Sequence, residues 1–546
     1  MNEAKPDVSR RALLVTAGGL GLTGLLAACT PTRSAPNSAS PSTLSTTAGS
    51  ITPSGTASPS GTVSTSGSGP SGRPTFASLS RQLSAPLLQP GNRAYPAAAR
   101  LYNPRFDASA KPAAIAQVRS AADVAACVRF ATAASVPLAL RSGGHSYGGW
   151  SSGSGLVIDV SALSTVQIDR ATGTARIGAG ARLGAVYTAL GAKGFALAAG
   201  SCPSVGITGL ASGGGVGVLA RAFGLTCDAV QSVQLVTADG HSREVSRSSQ
   251  PDLFWALRGG GGGSFGAVTA FTVALRPAPR VHTFYLEWDF GHAEQVLSSW
   301  QRWLSRIDDK LWTTCKLLAD PATGRLRATV SGTWIGLRST LTGQLTPLLT
   351  SIGARTTVNQ LESLDYPSAM LLEAGCSGET AAQCLAGALT PAKRQPFAAT
   401  SAVLNTPLPA AGVRAAVAGV RSGMNVSRMV EGGVSFDALG GAVARAAPAD
   451  TAFVHRNALA LIQYTATWAS MTGRTGSSAA PFDTFVRRQR ADLVQWTGTS
   501  AYSNYADAAI TDYGSAYWGS NYPRLQGIKK QYDPGNLFTF AQAVRP

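Results

Sequence analysis

Charge is scarce in this chain. Of its 546 residues only 14% are Asp, Glu, Lys or Arg, yet these carry a formal net charge of +18. No run of Lys and Arg exceeds three residues, so the basic arms and stripes that hold nucleic-acid phosphates are missing and that class of partner is excluded. The densest cluster, Arg487, Arg488 and Arg490, reads as a solvated helix face. The basic excess reads as solubility and a general attraction for anions. Histidine is scarcer still: five residues, scattered, none at metal-ligand spacing from a cysteine, so no metal site is expected. No segment repeats at a fixed period, which sets aside solenoids and propellers. Past the first 29 residues no apolar run is long enough to span a membrane.

Apolar residues make up 44% of the chain and glycines number 61, enough for a sizeable core with many tight turns. The length suits two or three domains. The beginning reads as an address. Ser9, Arg10 and Arg11 precede an apolar, glycine-rich run from Ala12 to Ala28, which matches a twin-arginine export signal. The run closes on Leu26, Ala27, Ala28 and Cys29, the pattern of a bacterial lipobox. The expectation is an exported protein, cleaved before Cys29 and lipid-anchored through that sulfur, at the cell surface or outside the cell. Residues 30–75 are nearly all Ser, Thr, Pro, Gly and Ala and read as a disordered tether. Cysteine usage agrees with export. Cys376 and Cys384 are eight apart, which on one helix is about 12 Å and too far for a disulfide. Gly375 and Gly378 let the chain fold back, and a disulfide then becomes plausible in an oxidising compartment. Cys127, Cys227 and Cys315 read as small buried apolar residues.

From Ala113 the pattern runs strand, helix, strand. A strand is predicted at 114–118, a helix at 121–134 with Val124, Val128 and Ala131 on one face, and a strand at 137–141. Short strands follow at 156–160, 166–168 and 175–177, then a helix at 181–193 stopped by Gly194, and strands at 233–236 and 267–275. From about Val281, long alternating strands (283–290, 326–334) alternate with amphipathic helices (293–304, 339–349). That is the pattern of an antiparallel sheet covered by helices.

Two loops carry the chemistry. Arg141, Ser142, Gly143, Gly144, His145, Ser146 and Tyr147 follow a strand. Gly200, Ser201, Cys202, Pro203, Ser204, Val205 and Gly206 hold a cysteine 57 positions after that histidine. Gly143 and Gly144 expose backbone N–H groups able to cradle a pyrophosphate. Only a thiolate is nucleophilic, and a loop of unpaired N–H groups favours it. A His and a Cys so presented are both able to bond to one flavin. Other glycine runs say less. Gly178 to Gly184 follows a strand and opens a helix, but it is one residue longer than the dinucleotide fingerprint and lacks its βαβ frame. Gly213, Gly214, Gly215 and Gly217, and the run Gly259–Gly263, read either as flexible turns or as backbone lying flat against a phosphate or ring.

At these residues the chain resembles the berberine-bridge-enzyme-like flavoenzymes of the vanillyl-alcohol oxidase/p-cresol methylhydroxylase superfamily, over about residues 95–546. The first loop is similar to the family's His-bearing flavin loop. The second, with Ala211 to Gly217, is similar to its Cys-bearing loop. Tyr517, Trp518, Asn521, Tyr522, Leu525, Tyr532, Asp533, Asn536 and Phe538 are similar to its terminal module, which returns to the flavin domain. The resemblance implies an α+β fold. A two-part FAD-binding domain of the vanillyl-alcohol-oxidase type takes 76–278, an antiparallel-sheet substrate domain covered by helices takes 279–500, and the terminal segment takes 501–546. It implies FAD bound bicovalently, through His145 at the 8α position and through Cys202 at C6. The implied cofactor site also includes Arg141, Ser142, Gly143, Gly144, Ser146, Val205, Gly206, Gly213, Gly214, Gly215, Gly217, Asn521, Tyr522 and Asn536.

In that family a substrate alcohol gives its O–H proton to a base and a hydride to the flavin, and dioxygen often takes the electrons as hydrogen peroxide. The flavin carries the hard chemistry and the protein orients it. The implied base is a tyrosine of lowered proton affinity. Tyr505 is favoured over Tyr502; both stand in a segment similar to the family's Tyr-x-Asn-Tyr. Tyr147 matches a substrate-side tyrosine of carbohydrate-oxidising members. Gln463 and Tyr464 match a strand that crosses the flavin face. Leu461 stands where plant members that oxidise lignin alcohols carry a lysine, so that base-tuning device is missing. Asp437 reads equally as a substrate contact or a turn cap. Val205 occupies the position that gates oxygen access, and valine there goes with oxidase behaviour. The substrate branches, a sugar or oligosaccharide alcohol against an aromatic or secondary-metabolite alcohol, stay open. A flavin dehydrogenase or redox relay with another acceptor, and a non-enzymatic glycan-binding surface lipoprotein, are the other classes. The expected protein is a monomer that meets its small substrate and dioxygen, and touches the membrane only through Cys29.

Overall fold

The computed structural model describes residues 73–109, 111–390, 394–469 and 478–546. The export signal, Cys29 and nearly all of the tether lie outside the described residues.

Ser120 caps the helix Ala121–Ala134, its hydroxyl accepting from the Asp123 amide. That start turns Val124, Cys127, Val128 and Ala131 into the core. The helix links strand Ala114–Gln117 to strand Leu138–Arg141. Both lie parallel to Leu156–Asp159, one on each side, and Leu87–Leu88 adds an antiparallel edge. Parallel strands need such a crossover, and it delivers Arg141 and the following loop to one end of the sheet.

A second sheet is antiparallel throughout, in the order Val166–Asp169, Thr174–Gly178, Ala267–Ala274, Val230–Val236, Ser242–Ser246. Gly178 therefore ends an antiparallel strand, and no βαβ unit surrounds it. A Cβ at Gly178 would lie 2.2 Å from the Leu163 carbonyl oxygen, and one at Gly180 would lie 2.0 Å from that of Val160. These glycines serve close backbone packing.

The third sheet has seven antiparallel strands, ordered Val358–Leu364, Val281–Trp288, Arg325–Trp334, Leu311–Asp320, Met429–Ala438, Ala460–Trp468, Phe397–Leu404. Its two faces differ, as period-two alternation requires. One face presents Leu286, Leu317, Val330, Val434, Phe436 and Ile462. Helices Ala293–Trp303, Arg338–Ile352, Ala410–Ser422 and Ala480–Thr497 contribute to the same core. The other face carries Thr314, Lys316, Thr329, Ser331, Ser435, Asp437 and Gln463, held opposite one another by the strand register. This polar face turns toward the first two sheets: the Thr333 hydroxyl donates to the Val218 carbonyl and Arg221 Nε to that of Leu311.

The chain returns at the end to the first core, where Tyr517, Trp518, Leu525 and Phe538 pack. Cys376 and Cys384 form a disulfide with Cα atoms 5.7 Å apart. Gly375 and Gly378, at φ 74° and 78°, make the fold-back that brings them together. Cys127, Cys227 and Cys315 are buried. Among the described residues no helix is long and apolar enough to cross a membrane.

Candidate active site

A cavity of about 300 Å³ is lined by strands and loops of the first two sheets, by Gln463 from the third sheet and by the C-terminal segment. Both loops singled out in the sequence line it. They lie against each other because two glycines let them. A Cβ on Gly143 would sit 2.2 Å from the Gly206 amide nitrogen, and one on Gly206 would sit 2.1 Å from Ser142 Oγ. Ser142 Oγ donates to the Ala179 carbonyl (2.7 Å), and Arg182 Nη1 donates to the carbonyls of Gly143 and Ser204, clamping one loop to the other.

Within this frame the His145 ring stacks on Tyr102, centroids 3.7 Å apart, and the Tyr102 amide donates to the Gly144 carbonyl. His145 Nε2 lies 3.0 Å from Ser204 Oγ. Burial and the nearby Arg182 charge hold the imidazole well below its usual range, so it is neutral. Cys202 Sγ lies 3.7 Å from the same Ser204 oxygen. One hydroxyl thus stands between the histidine and the cysteine on one wall of the cavity.

The wall chemistry fits a flavin nucleotide. Arg141 spends Nε on the Ser151 carbonyl and Nη1 on that of Ala98, with Asp159 beyond at 3.8 Å. Its Nη2, with Ser151 Oγ and Ser212 Oγ, is buried without a hydrogen-bond partner. All three residues line the cavity. Such orphaned groups cost about 1–3 kcal/mol each unless a ligand meets them. Part of the wall is glycine backbone: Gly209, Gly261, Gly262, Gly263 and Gly266 line it, and a Cβ at Gly209 would meet nothing within 4 Å. Flat aromatic or phosphate groups approach such backbone closely.

On the substrate side, Gln463 Nε2 donates to the Tyr147 hydroxyl at 2.7 Å. Tyr147 stacks with Tyr505, centroids 5.7 Å apart. Tyr502 is tied down, its oxygen accepting from the Gly215 amide (3.0 Å) and Asn504 Nδ2 (2.9 Å). No such tie holds the Tyr505 hydroxyl among the described residues. The lowered proton affinity expected of the base is not what the surroundings produce. Burial first, then Asp437 and Tyr147, push Tyr505 well above 10, and burial pushes Tyr502 to about 12. Asp437 is no turn cap: it lies within strand Met429–Ala438, opposite Thr314 and Leu461. Burial raises its carboxyl, partly offset by Lys316.

Of the remaining residues expected at the cofactor, Ser146 and Val205 line the cavity. Ser146 Oγ also accepts from the Trp150 amide and closes the first loop. Gly213, Gly214, Gly215 and Gly217 do not line it. Their missing side chains make room for Asn504, Phe453, Thr226 and the Ala199 carbonyl. Asn521 is turned away as well, donating to the carbonyls of Pro448, Thr451 and Ala452. Tyr522 stacks on Trp518, and Asn536 closes a turn at φ 51° with Nδ2 on Thr539 Oγ1. These residues build the terminal module. The glycines at the cavity come instead from Gly261–Gly263, a run whose composition alone did not separate a wall from a turn. Tyr102 and Phe540 had no sequence signal, while Ser204 and Asn504 stood inside recognised motifs without a role of their own.

The FAD binding domain family matches residues 112–246, and the family described as berberine and berberine like matches residues 501–545. An uncharacterised FAD-linked oxidoreductase of Bacillus subtilis, YgaK, is 32% identical over 75% of this chain and 86% of its own length. A chitooligosaccharide oxidase of Gibberella zeae is 30% identical over 87% of this chain and 96% of its own. The solved structure of Physcomitrella patens BBE-like 1 superposes with a TM-score of 0.78 at 30% identity, over 86% of this chain and 99% of that one. The carbohydrate oxidase from Microdochium nivale, solved with a substrate analogue, gives 0.76 at 28% identity, over 86% and 99%. Fold, cavity and both matched segments agree: the chain belongs to the berberine bridge enzyme-like family of FAD-linked oxidoreductases.

Proposed function

We propose that the protein oxidises a carbohydrate alcohol, with FAD attached through both His145 and Cys202 and dioxygen as the electron acceptor. One observation carries this reading. Tyr147, Gln463 and Tyr505 form a bonded and stacked group in the same cavity that His145 and Cys202 line. The bound FAD supplies the hydride acceptor. The rest falls to the protein. Gln463 holds the Tyr147 hydroxyl as a polar contact for a substrate oxygen. Tyr505 is a neutral phenol, because its proton affinity is raised. It therefore serves as a hydrogen-bonding partner for the substrate hydroxyl, not as a resting phenolate. The carbohydrate branch is favoured by the Tyr147 hydroxyl and the Gln463 amide on the cavity wall, and by relatives named for oxidising chitooligosaccharide and xylooligosaccharide. Val205, on the cavity wall beside Cys202, is assigned to oxygen access.

The test is a purified chain precipitated in acid. Yellow colour staying with the protein, lost only when His145→Ala and Cys202→Ala are combined, is the expected result; flavin released from the unaltered chain overturns the bicovalent reading. A peroxide-coupled screen of oligosaccharides and aromatic alcohols then tests substrate and acceptor. We propose further that the chain is exported by the twin-arginine route and anchored at Cys29. Lysines at Arg10 and Arg11 should keep it in the cytoplasm, and Cys29→Ser should release it from the membrane fraction.

A further inference from the structure

Tyr102 stands outside both loop motifs, yet its ring lies flat on the His145 imidazole, centroids 3.7 Å apart and planes 18° apart. We infer that Tyr102 is the positioning residue for His145: it fixes the plane of the imidazole for attachment, and the substrate domain holds Tyr102 in that place. The inference rests on the reading that His145 is a covalent attachment point.

The plane matters because a neutral imidazole makes a new bond with a nitrogen lone pair, and that lone pair lies in the ring plane. The terminal torsion of a histidine is broad, so its backbone alone leaves the plane loose. A parallel ring at this distance removes that freedom, whichever nitrogen carries the proton. His145 lines the cavity and Tyr102 does not. The tyrosine therefore restrains the histidine without occupying the space of the ligand.

Tyr102 is itself held from two sides. Its amide donates to the carbonyl of Gly144, the residue before His145, at 3.1 Å. From the substrate domain, Arg394 Nε donates to the Tyr102 carbonyl at 3.3 Å and Arg394 Nη2 to that of Leu101. Asp107 keeps this guanidinium in place, its oxygens 2.7 and 2.9 Å from Nη2. Asn103 pairs with Phe397 as a neighbouring strand would: Nδ2 donates to the Phe397 carbonyl at 2.9 Å, and the Phe397 amide donates to Oδ1 at 3.4 Å. Asn103 and Arg394 are both buried. Residues 101–107 are thus fastened at the start of strand Phe397–Leu404 in the third sheet. The plane of His145 is set across the domain boundary.

Attachment joins one imidazole nitrogen to the carbon of the flavin 8α methyl. One C–H bond of the methyl and the N–H bond of the ring are given up. The two protons and two electrons released go to dioxygen, giving hydrogen peroxide. Tyr102 exchanges no proton or electron in this step.

The experiment uses full chain produced under riboflavin limitation and then mixed with FAD. Total flavin bound is read by fluorescence, and acid-stable flavin on the His145 and Cys202 peptides by mass spectrometry. Tyr102→Ala should bind FAD and link it to Cys202 as the unaltered chain does, but link it to His145 roughly tenfold more slowly. Tyr102→Phe, which keeps the ring, should restore the rate. Arg394→Met, which releases the Leu101 and Tyr102 carbonyls, should slow the same link. An unaltered His145 rate in Tyr102→Ala, or equal slowing of both links, overturns the inference. An unaltered chain that binds FAD but never links it to His145 overturns the underlying reading instead, so the two failures are told apart. A further measurement needs no Tyr102 variant. In proton NMR of flavin-free chain, the His145 ring signals, assigned by their loss in His145→Ala, should lie upfield of the usual histidine range because the Tyr102 ring covers them. Signals within that range overturn the inference.

Discussion

Gly143 and Gly206 lie backbone against backbone: a Cβ on either would come within 2.3 Å of the other's amide nitrogen. This contact holds the His145 loop and the Cys202 loop on one cavity wall, so it sets where both side chains stand relative to a single ligand.

Gly206→Ala should therefore separate the loops. The clash is with backbone and with a bonded serine, neither of which yields cheaply. The expected cost is about 1–3 kcal/mol of stability, together with loss of bound flavin. The visible-to-ultraviolet absorbance ratio of the purified variant checks it; full flavin content with an unchanged Tm would remove the contact from the explanation of the site.

Tyr505→Phe and Tyr502→Phe should differ in kind. The first removes a hydroxyl placed for the substrate and should lower kcat by roughly 10²–10⁴ with little change in Tm. The second strands the Gly215 amide and the Asn504 amide group, which both donate to Tyr502. It should lower stability by about 1–3 kcal/mol with a smaller effect on kcat. Stopped-flow flavin reduction and thermal unfolding, measured on both variants, separate the two roles.

Glu373 gives a pH dependence of known sign. Burial raises its carboxyl from 4.5 to about 7, against the pull of Lys316. The folded state then binds its proton more tightly than the unfolded state. Its contribution is full below pH 4.5 and is lost as pH rises toward 7, by up to about 3 kcal/mol at 1.4 kcal/mol per unit. Glu373→Gln should flatten that part of the stability curve. Denaturant unfolding across the same range is the measurement; a Glu373→Gln curve parallel to the unaltered one counts against it.

Lys529 and Asp533 form a buried pair one helical turn apart, with N···O at 2.6 Å. Lys529 also donates to the carbonyls of Ser264 and Phe538, which pins the C-terminal segment to the first core. Lys529→Met should strand the Asp533 carboxylate and cost about 3–5 kcal/mol. Limited proteolysis near the C-terminus should then accelerate, and unaltered cleavage would show that packing of Trp518 and Phe538 suffices.

The sequence was most legible where local rules act. The helix at 121–134 was read to the residue because its apolar spacing is regular, and the structure shows Ser120 capping it where that spacing begins. The first-loop residues were legible because glycine beside a lone histidine after a strand is a local pattern. The glycines were read less well. Gly213 to Gly217 and Gly261 to Gly263 look alike in composition, yet one group makes room for protein side chains and the other for the cavity. The polar partners Asn521, Tyr522 and Asn536 belonged to the right segment but turn away from the cofactor's cavity.

By itself, then, the chain determined the main elements of its first part, its two attachment candidates and its family. Those depend on neighbours within a few residues or on motifs written contiguously. Tertiary structure alone decided that Gln463 bonds Tyr147 across 316 positions, that Asp437 acts on Tyr505, and that Ser204 stands between His145 and Cys202. Proton affinity was decided there too. Burial and charge come from residues far apart in sequence, and they raised Tyr505 where a tyrosine in its motif was expected to be lowered.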